Sequence, residues 1–290
     1  MCKECGCNSG SGGTRINGEP VDKINSPLLG LTADGKADNH KDSQASKNPN
    51  SEHHHEHHHS HSSDEHSHSI QINYPVLEQN DRIAERNRGF FLARGIFAIN
   101  MLSSPGSGKT TLIYETARLL SDKIKIAVIV GDLATENDAE RLRKAQIPTV
   151  QVNTGTACHL DAEMVARAFS QIANQQIDLL IIENVGNLVC PAMFDLGENK
   201  RIVLLSTTEG EDKPLKYPPI FHSADVAVIT KIDLAQPAGF NRELALENLK
   251  RISHHAQVFE VSAKTGEGMD KWCSYLLDCF AHNKGTFAGK

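Results

Sequence analysis

Eight consecutive residues, Ser103-Ser104-Pro105-Gly106-Ser107-Gly108-Lys109-Thr110, carry the clearest chemistry in the sequence. They follow an apolar run, residues 95–102, that reads as a buried strand, and precede residues 111–120, which read as a helix. Strand, glycine-rich turn and helix form the setting of a phosphate-binding loop. Backbone N–H groups of the turn and of the helix start, through Thr111, favour an anion. Lys109 would reach the β and γ phosphates, and the Thr110 hydroxyl would hold Mg²⁺. Ser103 stands where G-x-x-x-x-G-K-[ST] has its first glycine. That is tolerable only if the position needs no positive φ.

Three more stretches follow apolar runs and could complete a nucleotide site. Gly131-Asp132, with Asp138 close behind, offers carboxylates for Mg²⁺ or for orienting an attacking water; a strand-capping turn is the plainer use of either residue. Ile181-Ile182-Glu183-Asn184-Val185-Gly186-Asn187 reads as a Walker B strand with a D-x-x-G-like turn. Glu183 replaces the usual Asp, and its longer arm suggests contact with Mg²⁺ through water. Gly186 can bring a backbone N–H to the γ-phosphate. Lys109, Asp132 and Glu183 are therefore the candidate catalytic residues, and Thr110, Asp132 and Glu183 the candidate Mg²⁺ ligands. Thr230-Lys231-Ile232-Asp233 is similar to the guanine-reading [NT]-K-x-D motif. Its aspartate accepts from guanine N1–H and N2–H₂ while the lysine stem packs on the base. Ser262-Ala263-Lys264-Thr265-Gly266 resembles a loop that supports the base through backbone N–H groups. Four motifs in this order make residues 96–280 a GTP-binding domain.

Other residues are suited to soft or borderline metals. Cys2, Cys5 and Cys7 pack three thiols into six residues, a set for Zn²⁺, Ni²⁺ or Cu⁺. His53, His54, His55, His57, His58, His59, His61, His66 and His68 form a dense tract. Such a tract binds divalent late transition metals loosely and suits storage. Interspersed acids and an internal position argue against an expression tag. Cys158-His159 and Cys190 offer S, N and S for Ni²⁺ or Zn²⁺ if the strand ends meet; core cysteines and a capping histidine are the alternative. Three donors leave a fourth position to water, another residue or a second subunit. Cys273 and Cys279 fall in a terminal amphipathic helix.

Around these residues the chain alternates strand and helix. Strands are expected at 95–102, 125–130, 149–152, 179–185, 202–206, 226–230 and 257–261. Helices are expected at 76–94, 111–120, 138–145, 160–173, 242–252 and 272–280. The fold class is α/β, a P-loop NTPase with a mainly parallel sheet covered by helices on both faces, a SIMIBI-type G domain. Residues 1–8 form the cysteine motif, 9–75 a disordered linker with the histidine tract, and 76–290 the GTP-binding domain. The linker holds too few apolar residues to offset chain entropy. A net charge of −6 over 290 residues argues against a basic nucleic-acid face. No run is long enough to span a membrane and no secretory signal is visible, so a cytoplasmic location is expected. Seven cysteines, an odd number in clusters, fit metal ligation better than disulfides.

Together these motifs resemble the HypB-type hydrogenase nickel-incorporation GTPases over nearly the whole chain. The resemblance rests on the Cys2/Cys5/Cys7 motif, the histidine tract, residues 104–110, Cys158-His159, residues 183–191 and residues 230–233. It implies GTP hydrolysis to GDP that drives nickel delivery to the large subunit of [NiFe]-hydrogenase. It implies a GTP-favoured homodimer and a HypA-type metallochaperone partner. It further implies that Cys158, His159 and Cys190 bind nickel or zinc at or near the dimer interface, and that the terminal cysteines form a separate, tight nickel site. Two alternatives stand beside it: a urease-type nickel-insertion GTPase, and a metal-storage protein in which GTP is structural.

Overall fold

The computed structural model describes residues 13–24, 68–133 and 137–285. Its frame is one nine-stranded sheet in the order β2-β1-β5-β4-β6-β3-β7-β8-β9. The strands are β1 Arg15–Ile16, β2 Glu19–Pro20, β3 Phe97–Leu102, β4 Ile126–Asp132, β5 Thr149–Asn153, β6 Leu179–Glu183, β7 Lys200–Ser206, β8 Val226–Thr230 and β9 Gln257–Val261. From β5 to β9 every pairing is parallel. The central strands are continuous apolar runs because both faces are covered. Ile99, Met101, Val128, Ile181, Leu204 and Val228 pack on one side with Trp272. Ala98, Ile129, Leu180 and Ile182 pack on the other with Phe91 and Phe169.

The helices are α1 His68–Ala93, α2 Lys109–Leu120, α3 Asn137–Lys144, α4 Ala162–Ser170, α5 Lys213–Lys216, α6 Pro218–His222, α7 Arg242–Ile252 and α8 Met269–Gly285. The expected strands and long helices all occur. The first strand starts later, at Phe97, and α8 extends past both expected ends. The short helices α5 and α6 were not anticipated. Among the described residues no helix is long and apolar enough to cross a membrane.

The N-terminal side differs from expectation in two places. Residues 13–24, read from sequence as part of a disordered linker, form the β1–β2 hairpin and a 3-10 turn, Val21–Lys23. The hairpin pairs antiparallel with β5, Ile16 opposite Val152. Asn17 and Gly18 have φ values of 47° and 87°, the positive pair that a two-residue hairpin turn requires. Ile16 and Ile24 are buried, and the buried Arg167 donates to the carbonyls of Val21 and Ile24, both at 2.8 Å. Two isoleucines and one guanidinium thus offset the entropy that polar composition alone could not. Helix α1 also begins at His68, not at 76, with Pro75 inside it. Cys2, Cys5, Cys7 and the tract from His53 to His66 lie outside the described residues, and of His68 only its place at the start of α1 is described.

Candidate nucleotide and metal sites

The glycine-rich loop joins β3 to α2 at the carboxyl end of the sheet, where parallel α/β sheets bind ligands. Gly106 and Gly108 have φ of 73° and 97°, whereas Ser103 is not among the residues with positive φ. The serine is therefore compatible with the turn. Its Oγ accepts from Lys109 Nζ at 2.7 Å and is also bonded to the Ser107 hydroxyl. Burial lowers the Lys109 pKa, while Glu183, Asp138, Glu209 and Asp132 pull it back up.

Thr110 Oγ1 donates to Glu183 Oε1 at 2.7 Å. Glu183 is 3% exposed, and burial pushes its carboxyl up to about 7 against the opposing pull of Lys109 and the Thr110 hydrogen bond. Its Oε2 is buried without a hydrogen-bond partner. A hydroxyl on one carboxylate oxygen, a second oxygen left over and Asp132 nearby form a hard oxygen set that fits Mg²⁺. A cavity of about 330 Å³ opens here, bounded by Lys109, Thr110, Asp132, Asp138, Glu183 and Gly186. Arg141 also lines it and donates to Thr111 Oγ1 at 3.1 Å. Sequence reading did not single out Arg141; only its position on α3 facing α2 exposes it. Glu209, half-buried after β7 and hydrogen-bonded by Ser104, was likewise missed. Gly186 is required by close approach: a Cβ there would lie 2.8 Å from Pro105 Cα. The turn after β6 is thus packed directly on the phosphate loop.

A second hollow of about 260 Å³ lies beside the first, lined by Thr230, Lys231, Asp233, Ser262, Ala263 and Lys264. Thr230 donates its hydroxyl to Ser107 O at 2.7 Å, and Lys231 Nζ donates to Gly106 O at 2.6 Å. The residue that departs from the strict motif, Thr in place of Asn, still ties the base loop to the phosphate loop. Lys231 adopts φ 57°, an uncommon left-handed geometry for a side-chain-bearing residue. Ser262 Oγ donates to Asp233 Oδ1 at 2.7 Å and so orients the carboxylate. A carboxylate aimed into a mostly apolar slot can accept a paired N–H donor edge such as guanine presents.

Cys158, His159 and Cys190 converge: one ligand atom from each lies within 4.8 Å of the others. Among the described residues they are the one group of three or more such side chains so placed. Cys158 and His159 follow β5, and Cys190 opens the 3-10 turn Cys190–Met193 after β6. Asn187 Nδ2 donates to Cys158 O at 3.3 Å, joining the two loops. The His159 ring lies on Phe194, centroids 3.9 Å apart, and burial lowers its pKa to about 4. The imidazole is thus neutral near pH 7, the form that ligates metal. Two thiols and one imidazole, all partly exposed, can hold a borderline ion such as Ni²⁺ or Zn²⁺. Cys273 is buried within α8, and burial pushes its thiol up to about 11.

The parallel sheet and the glycine-rich loop at its carboxyl end define a P-loop GTPase fold. The profile of the CobW/HypB/UreG nucleotide-binding domain matches residues 97–260. A hydrogenase maturation factor HypB of Azotobacter chroococcum mcd 1 is 50% identical over 210 residues, 72% of this chain and 69% of that one. The Escherichia coli K12 factor of the same name is 47% identical over 207 residues, covering 71% of each chain. The crystal structure of HypB from Helicobacter pylori in complex with nickel superposes with a TM-score of 0.68 at 39% identity, covering 71% of this chain and 96% of that one. HypB from Archaeoglobus fulgidus gives 0.66 at 40% identity, covering 70% and 99%. This chain belongs to the HypB family of hydrogenase maturation factors.

Proposed function

We propose that the protein is a slow GTPase that carries nickel and delivers it for assembly of the [NiFe]-hydrogenase active site. The observation that carries this reading is the convergence of Cys158 and His159 with Cys190, which lies on the loop continuous with the turn packed on the phosphate loop. Nickel is the cargo of that site, with Zn²⁺ a competing occupant, and a second, tight nickel site is assigned to Cys2, Cys5 and Cys7. The histidine tract, His53 to His68, supplies weak storage.

In hydrolysis, Lys109 and the backbone N–H groups of Ser104 and of residues 106–111 hold the β and γ phosphates. A water attacks the γ-phosphorus, the bond to the β–γ bridging oxygen breaks, and GDP and phosphate leave. Asp132 orients that water. Glu183, Thr110 and Asp132 would hold Mg²⁺, which when bound supplies charge neutralisation at the phosphate oxygens. Thr230, Lys231 and Asp233, with Ser262, Ala263 and Lys264, select guanine. Gly186 senses the γ-phosphate.

Three protein donors do not close a tetrahedron. Val189 and Met193, 61% and 51% exposed, flank Cys190 and provide apolar surface for a second copy. A GTP-favoured homodimer that completes the site follows. The other partners are those the family resemblance implies: a HypA-type metallochaperone and the hydrogenase large subunit, met in the cytoplasm. Measuring phosphate release from GTP and from ATP, and nickel stoichiometry with GDP and with a non-hydrolysable GTP analogue, tests the reading. Slow, guanine-selective turnover with nickel bound is expected. Many metals bound with no hydrolysis would instead support storage.

A further inference from the structure

Glu198 and Arg201, at the entry to β7, form a buried ion pair that the nucleotide chemistry does not use. Arg201 Nε donates to Glu198 Oε1 at 2.7 Å, with side chains 15% and 4% exposed. Burying two charges is costly, and an apolar pair of similar volume is commonly as stabilising. The other contacts of the pair show what it holds. Arg201 Nη1 donates to Ala192 O at 2.9 Å and Nη2 to Phe194 O at 2.8 Å. Ala192 lies in the turn that begins at Cys190, and Phe194, which follows that turn directly, carries the His159 ring. Glu198 Oε2 accepts from Leu196 N–H at 2.7 Å, pinning the far end of the same segment.

The network continues under the metal-ligand cluster. Asn100 Nδ2 donates to Glu198 Oε1 at 3.2 Å, and Asn184 Nδ2 donates to Asn100 Oδ1 at 3.3 Å. Asn184 Oδ1 in turn holds the N–H of Leu160, next to His159, at 3.0 Å. One run of buried polar groups thus links the Cys190 turn to the Cys158-His159 turn.

We propose that Arg201, oriented by Glu198, is a positioning residue for the metal cargo. It fixes the Cys190–Phe194 segment so that Cys190 Sγ and the His159 ring stay within ligating distance of each other. The proposal rests on reading Cys158, His159 and Cys190 as a metal site. The planar guanidinium serves the carboxylate and the two carbonyls from three separate nitrogens; the ammonium of Lys gathers its donors on one atom at a shorter reach. Arg201 does not line the phosphate or base pockets, and of its network only Asn184 does.

The experiment uses the full-length chain with Cys2, Cys5 and Cys7 changed to Ser, so that thiolate-to-nickel absorption reports Cys158 and Cys190. Nickel chloride is titrated into this parent, into Arg201→Lys, and into the charge-neutral pair Arg201→Met with Glu198→Gln. Both variants should keep the parent's affinity for a GTP analogue and stay folded. Each should bind nickel about tenfold or more weakly, the loss typical when a group supporting a metal ligand is removed. The paired variant keeps the test open if the lone lysine destabilises the fold. A nickel isotherm unchanged in both variants overturns the proposal. So does a nickel loss that only tracks falling melting temperature and nucleotide affinity, since that marks a purely structural role. Absence of the absorption band in the parent, or its survival when Cys158 and Cys190 are both changed to Ser, overturns the metal site itself and is read separately from any effect of Arg201.

Discussion

Asn184 accepts the backbone N–H of Leu160 at 3.0 Å, a bond that ties the end of β6 to the Cys158-His159 turn. Asn184 follows Glu183, whose carboxylate receives the Thr110 hydroxyl. Leu160 follows Cys158-His159. The same Asn184 oxygen also accepts from Val185 N–H at 2.9 Å, at the start of the turn that reaches Gly186. A displacement of β6 at its end therefore reaches both halves of the Cys158/His159/Cys190 cluster.

Asn184→Ala should leave the N–H groups of Leu160 and Val185 buried and unpaired. Each such loss costs about 1–3 kcal/mol, so the melting temperature should fall by several degrees. Nickel affinity should fall further than affinity for GTP, because the phosphate loop keeps its own donors. Thermal denaturation with parallel nickel and nucleotide titrations checks both parts.

Lys109→Ala should abolish GTP hydrolysis, because the β and γ phosphates lose their point charge and their position. Metal binding elsewhere should survive. A phosphate-release assay and a nickel titration on the same sample are enough. Wild-type turnover in this variant would refute the phosphate-loop assignment.

Much of this arrangement is legible in the sequence, for definite reasons. Strands β8 and β9 and helix α7 occur at their expected bounds because the pattern changes at their ends: the apolar run of β8 lies between Asp225 and Lys231, β9 stops at Ser262, and Asn241 caps the amphipathic α7. The motif residues fall at strand ends because parallel topology leaves few other places for them. The β1–β2 hairpin escaped because two-residue strands show no periodicity and Ile16 stands alone among polar residues. Its signal was Asn17-Gly18, a strong turn dipeptide overlooked inside a polar stretch. Arg201 and Glu198 left no signal at all. Three residues apart near the start of a strand, they look like solvated charges, and only the packing of the Cys190 turn over them shows otherwise.

Base choice is tested at Asp233. Ser262 holds one oxygen of its carboxylate, leaving the other to the base. Asp233→Asn should weaken GTP and favour xanthosine triphosphate, whose carbonyl matches the amide donor. The shift should amount to several kcal/mol of discrimination, the scale of buried polar mismatches. Competition binding between the two nucleotides measures it, and unchanged GTP preference would mean the base is read elsewhere.

Truncations separate the N-terminal segments. Removing residues 1–8 should take away one tightly held metal, and removing residues 52–67, just short of α1, several weaker ones. Neither should alter cooperative unfolding. Extending the N-terminal deletion through residue 24 is different. It removes buried Ile16 and Ile24 and strips Arg167 of two carbonyl partners, so stability should drop by a few kcal/mol, roughly 1.5–3 for each isoleucine. Calorimetry on the two N-terminal truncations compares them. Equal stability would show that the hairpin does not support the sheet.

Nucleotide and metal should be coupled through the segment from Gly186 to Cys190. Gly186 touches Pro105 of the phosphate loop so closely that no side chain fits between them. Four residues later stands Cys190, a candidate metal donor, and Asn187 between them bonds Cys158. A backbone shift at Gly186 on loss of the γ-phosphate has little chain in which to dissipate. Moving one of three ligands by ~1 Å spoils a bond whose proper length is about 2.3 Å for Zn–S. Metal should therefore bind more tightly in one nucleotide state, and linkage requires metal to shift nucleotide affinity by the same factor, typically ~1–3 kcal/mol. If a second subunit supplies the fourth ligand, dimerisation joins the same cycle. Cys190→Ala should uncouple these events while GTP still binds. The measurement is a nickel or zinc titration with GDP and with a GTP analogue, the dimer fraction followed by sedimentation, in a chain lacking residues 1–8 and the histidine tract, residues 52–67. Equal metal affinities and equal dimer fractions in both states would leave Cys158, His159 and Cys190 as a static site.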